Sequence, residues 1–132
     1  MIDRGIKPDQ IVSIEYDKVF AERLQRKFEG VDIRLGDAYT LDRTLGDDDR
    51  HFAAIVSSLP LLTQPVEQRY ELLRQAFARA LLGAPFIQFS YSYASPLGKL
   101  ADAEIYSAKK TGWILKNLPP ARVWVYRQTD FA

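Results

Sequence analysis

Apolar residues recur at two different periods along this chain, and the alternation between them predicts an α/β fold. Residues 10–14 (QIVSI) are short and β-branched, follow the turn Lys7-Pro8-Asp9, and read as a buried strand. Asp17 can cap the stretch after it, where Val19, Phe20, Leu24 and Phe28 recur at helical spacing up to a stop at Gly30. Residues 31–35 (VDIRL) predict a second strand that runs into Gly36-Asp37, and residues 52–56 (FAAIV) a third. The segment between them, 39–50, is polar and carries the loop signal Gly46-Asp47-Asp48-Asp49.

Pro65 opens a long amphipathic helix with Tyr70, Leu73, Ala76, Phe77, Ala80 and Leu81 on one side, closed by Gly83. A fourth strand is predicted over 85–90 (PFIQFS). Two more, roughly 104–116 and 121–128, form a terminal hairpin joined at Asn117-Leu118-Pro119-Pro120. Strand and helix alternate early and antiparallel strands come last, which fits one domain built on a doubly wound sheet with an antiparallel edge.

Composition narrows the chemistry. The 132 residues are 47% hydrophobic, enough for a core, and 18 basic against 17 acidic side chains leave no global field to draw in nucleic acid. Cysteine is absent and His51 is the one histidine, so thiolate zinc sites, disulfides and Cys/His nucleophiles are excluded and no metal centre is expected. No apolar run is long enough to cross a bilayer, the N-terminus lacks the layout of a signal peptide, and the cytoplasm is the expected compartment. Neither a phosphate-cradling glycine loop nor a nucleophile elbow occurs.

What chemistry remains sits at strand ends. Glu15 closes the first strand, in the crevice region where open α/β sheets bind ligands, and a carboxylate there can accept both hydroxyls of a ribose. Gly36-Asp37-Ala38 closes the second: Asp37 can accept from an exocyclic amine and the Ala38 amide can donate to a ring nitrogen. After the third comes Ser57-Ser58-Leu59-Pro60-Leu61-Leu62, whose backbone carbonyls can orient an acceptor amine. Each has an ordinary alternative: a solvated carboxylate, a strand-to-turn Gly-Asp, a capped turn leading into a helix. His51 reads as a surface residue, and Trp113, Trp124 and Tyr126 as core or edge packing. Lys109, Lys110, Lys116, Arg122 and Arg127 make the C-terminal end locally basic, a solvated edge defence or a meeting place for phosphate head groups.

The combination IEYD, LGDA, SSLPLL, FIQFSYS and NLPPARVWVYR resembles the bacterial phospholipid N-methyltransferases, relatives of the ribosomal RNA adenine dimethylases, over about residues 5–128. The resemblance implies a Rossmann-like class I methyltransferase sheet that binds S-adenosylmethionine and methylates the amine of phosphatidylethanolamine, ending at phosphatidylcholine. By it, Glu15 would hold the ribose hydroxyls, Tyr16 would flank the adenine, and Asp37 with Ala38 would read its edge. Ser57 and Ser58 would sit near the transferred methyl, with Leu59 and Pro60 shaping the acceptor site. The implied partner is a phospholipid at a membrane surface, with the enzyme peripheral at the inner membrane.

Where the RNA enzymes carry an asparagine and an aromatic residue to grip an extruded base, this chain has Ser58 and Leu61, which favours a lipid amine over a nucleobase. It also begins with MIDRGIKPDQ, matching only the end of the helix that follows the family's first strand and glycine-rich turn. The expectation is therefore a truncated domain lacking that strand and loop, with weak cofactor affinity. Because the lacking strand is central, the strands on either side of it would pair directly, receive a strand from another chain, or open a route to a homo-oligomer. An inactive remnant serving as an interaction module and an rRNA adenine N6-methyltransferase are the competing readings.

Overall fold

A computed structural model describes residues 1–90, 106–110, 112 and 122–128. The chain divides into two compact units, Met1–Asp48 and Asp49–Ala132.

In the first unit, β1 (Val12–Glu15) pairs in parallel with β2 (Asp32–Leu35), with Val12 opposite Asp32 and Glu15 opposite Leu35. The helix between them, α1 (Lys18–Lys27), is capped by Asp17, whose carboxylate accepts from the Phe20 amide at 2.9 Å. The first strand starts later than its apolar run predicts. Pro8–Gln10 forms a 3-10 turn in which the Gln10 side chain accepts from the Lys7 amide, so Gln10 leaves the strand.

Helix α1 also turns differently from expectation. Ala21 is its buried residue and Leu24 and Phe28 are half-buried, while Val19 and Phe20, assigned to the core by spacing, are 60% and 49% exposed in its first turn. The polar segment after β2 is not a plain loop. Ala38–Thr40 is a 3-10 turn and Leu41–Leu45 is a short helix, α2, that buries Leu41 and Leu45 at i, i+4. Arg34 ties the unit together through Asp32 at 3.1 Å, Asp48 at 2.7 Å and the Leu45 carbonyl at 3.4 Å. These carboxylate partners, Asp32 first, raise the pKa of its guanidinium above the ordinary value.

The second unit is a four-stranded sheet in the order β3-β4-β6-β5, with β3 Ile55–Ser57, β4 Phe86–Ser90, β5 Tyr106–Lys110 and β6 Arg122–Gln128. β3 and β4 are parallel, joined through helix α3 (Val66–Ala78), and β6 runs antiparallel to both β4 and β5. The predicted antiparallel edge is therefore present. The third strand begins later than predicted: Phe52 forms only an isolated bridge with Ala80, and Ala53 and Ala54 lie outside the ladder. That bridge also ends α3 early. Phe52 accepts from the Leu81 amide at 2.9 Å, drawing 79–81 out of the helix and leaving Leu81 exposed.

One face of this sheet is closed by aromatic packing. Phe77 of α3 meets Phe86 at 6.4 Å, Phe86 meets Tyr126 at 6.5 Å, and Trp124 stacks on Tyr126. Leu72, Leu73, Ala76 and Leu61 are buried with them. Trp124 and Tyr126 thus pack as core residues; Trp113, Lys116 and the 117–120 connection lie outside the described residues.

β1 and β3 belong to different sheets, so the direct pairing considered above is not used among the described residues. No described helix is long and apolar enough to cross a membrane.

Candidate functional site

The strand-end residues of the first unit are brought together by register. Glu15 stands opposite Leu35, and the Gly36 amide donates to the Glu15 carbonyl at 3.0 Å, which continues the ladder one residue past β2. Asp37 follows at once, so both carboxylates stand at the carboxyl ends of neighbouring parallel strands.

Each carboxylate is fixed by a local bond. Glu15 Oε1 accepts from the Asp17 amide at 3.1 Å, and Asp37 Oδ1 accepts from the Tyr39 amide at 2.8 Å as it caps the 3-10 turn. A carboxylate has about four acceptor positions on its two oxygens, so neither is saturated by one bond. Both are half-buried, as is Ala38. Tyr16 is 80% exposed beside Glu15, where its ring face is open to a flat ligand.

An open hollow of about 320 Å³ lies beside Glu15, lined also by Asp17, Val19, Phe20 and Arg23. Asp37 is not among its lining residues. Val19, Phe20 and Arg23 were missed as site residues because helical spacing counted the two apolar ones toward the core. The signal that separates them is the stripe Ala21, Leu24, Phe28, which turns the first-turn apolar pair away from the sheet.

Gly36 makes room for α2. A Cβ there would meet Thr44 Cγ2 at 2.6 Å and Oγ1 at 2.8 Å, so the close approach it permits is that of α2 rather than of a ligand. Thr44 Oγ1 donates to the Asp37 carbonyl at 2.9 Å. Glycine at 36 therefore lets α2 hold the turn that carries Asp37.

In the second unit the segment after β3 is strongly held. Ser57 is 8% exposed and its hydroxyl accepts from the Leu59 amide at 3.2 Å, while Ser58 is exposed. Pro60 is exposed, and its carbonyl accepts from the Thr63 amide at 3.0 Å and the Thr63 hydroxyl at 2.7 Å. Arg69 of α3 reaches back to the carbonyls of Gln64 and Leu62, at 2.8 and 3.3 Å. Leu61, at the position where the RNA enzymes place an aromatic, is 2% exposed and forms part of the core. His51 is an exposed loop residue whose Nδ1 lies 3.1 Å from the Asp49 carbonyl.

No family model matches the chain, and no curated protein matches it. Solved structures do. An rRNA methylase from Streptococcus thermophilus is similar with a TM-score of 0.59 at 13% identity, over 90% of this chain and 73% of that one. A Klebsiella pneumoniae protein described as an O-methyltransferase gives 0.62 at 17% identity, over 96% of this chain and 66% of that one. A Streptococcus mutans protein described as a methyltransferase, solved in complex with SAH, gives 0.53 at 13% identity, over 87% and 74%. At these identities the likeness is one of fold: the chain has the Rossmann-like fold of class I methyltransferases.

Proposed function

We propose that this protein is an S-adenosylmethionine-dependent methyltransferase whose acceptor is the amine of phosphatidylethanolamine at a membrane surface. The observation that carries the cofactor half is the pair Glu15 and Asp37, each oriented by a hydrogen bond accepted from a backbone amide, at the ends of adjoining parallel strands. Those residues fit a nucleoside: Glu15 takes the ribose hydroxyls, Asp37 the exocyclic amine, the Ala38 amide a ring nitrogen, and Tyr16 covers one face of the base. When bound, the cofactor supplies an electrophilic methyl on a sulfonium.

The chain's own contribution is positional. An amine acceptor attacks only when unprotonated and in line, so the demand falls on carbonyls and hydroxyls that hold its N–H groups rather than on a strong base. Ser57 and Ser58 fill that role in this reading, with Leu59 and Pro60 shaping the acceptor site. Support for a lipid amine comes from Ser58 and the buried Leu61, which offer a flat base neither an amide partner nor a stacking ring.

A nucleobase acceptor is the second reading, favoured by the neighbour described as an rRNA methylase. Methyl-labelled cofactor offered with phosphatidylethanolamine vesicles and, in parallel, with ribosomal RNA separates the two. Label in the lipid is expected. Label in RNA alone overturns the acceptor assignment, and label in neither overturns methyl transfer.

A further inference from the structure

We infer that Gln88 is the positioning residue of the segment after β3, holding it in shape from the neighbouring strand. Gln88 is the register partner of Ser57 and is 1% exposed. Both hydrogens of its side-chain amide are used: Nε2 donates to the Leu59 carbonyl at 2.8 Å and to the Phe89 carbonyl at 2.9 Å. The Leu59 carbonyl also accepts from the Leu61 amide at 2.8 Å, and the Leu59 amide donates to Ser57 Oγ at 3.2 Å.

Leu59 is thus clamped at both of its backbone groups, with Pro60 restricting the chain directly after it. Ser58 is left as the exposed residue between two buried anchors, Ser57 and the Gln88–Leu59 bond.

A second observation points the same way. Gln88 Oε1 is buried without a hydrogen-bond partner among the described residues. An unpaired buried carbonyl opposes folding, and an apolar side chain of similar volume would avoid it. What the amide adds is its two donors, and one of them goes to Leu59, 29 residues away. The link to catalysis rests on the methyl-transfer reading above; the clamp itself does not.

Amide hydrogen exchange resolved by residue tests the clamp. In Gln88→Met, which keeps the volume and removes both donors, the Leu61 and Leu59 amides exchange about tenfold faster than in the wild type, while amides of α3 stay within twofold. Gln88→Glu provides a rescue. Burial beside two carbonyls raises the pKa of such a carboxyl, so the protonated acid keeps one donor and an exchange ratio to wild type near unity, while ionisation as pH rises removes the donor and gives the same loosening as Gln88→Met. Unchanged exchange at Leu59 and Leu61 in Gln88→Met, or a Gln88→Glu ratio that stays high at the acid end of the titration, overturns the clamp.

In the methylation assay, Gln88→Met lowers kcat about tenfold with cofactor affinity unchanged, and an unaltered kcat overturns the catalytic link. If the wild type transfers no methyl group, the proposed function has failed, and the exchange experiment still decides the role of Gln88.

Discussion

The Gly36 amide donates to the Glu15 carbonyl at 3.0 Å, and this bond places Asp37 beside Glu15 at the mouth of the two-stranded sheet. The space a Cβ at residue 36 would fill is taken by Thr44, which bonds the Asp37 carbonyl.

Gly36→Ala drives a methyl group into Thr44 and forces α2 or the Asp37 turn to move. The expected cost is about 1–3 kcal/mol, the usual range for overpacking. Urea denaturation measures it, and Gly36→Ala combined with Thr44→Ala recovers most of the loss by clearing the space.

Arg34 neutralises Asp32 and Asp48, and the Asp48 side chain is 12% exposed. In Arg34→Met both carboxylates lose this cation and its hydrogen bonds, and stability falls by about 1–3 kcal/mol. Arg34→Lys restores charge but not the fork that reaches two carboxylates and a carbonyl, so it recovers only part.

The Glu71 carboxyl is held below its ordinary pKa, first by the hydrogen bond from Arg74 and also by that cation's field. A depressed folded value stabilises above the unfolded pKa, and the effect disappears as pH falls through the folded one. The pair lies on the exposed side of α3, where solvent screens it, so the effect is small. Thermal melts of wild type and Glu71→Gln should separate at pH 7 and converge under acid conditions, and more so at low salt.

Element order was legible in the chain because each strand carries β-branched or aromatic residues and each long helix a capping signal. Asp17 and the four strand cores illustrate this. Helix α2 was not legible: a single turn offers only Leu41 and Leu45 as its pattern, too little against Gly46 and three aspartates.

Strand starts failed where tertiary bonds decided them, as at Gln10, captured by a turn, and Phe52, bonded to Arg79 and Leu81 on either side of Ala80. Glu15 and Asp37 were legible as strand-end acids, whereas the clamp by Gln88 was not, since its partner lies 29 residues away and no local pattern records it. The hollow's apolar wall was misread for a related reason: Phe20 fits two stripes, and packing selected the one through Ala21.

The central claim is that Glu15 and Asp37 together grip a nucleoside. Titrating S-adenosylhomocysteine into the isotope-labelled chain while following backbone amide resonances tests this, and the method reads weak as well as tight binding. The account predicts saturable shifts at residues 15–17 and 37–39, with roughly tenfold more ligand needed in Glu15→Gln, the loss expected when a charged acceptor of hydroxyl hydrogen bonds is removed. No shift at those residues, or identical titration curves for wild type and Glu15→Gln, would contradict it.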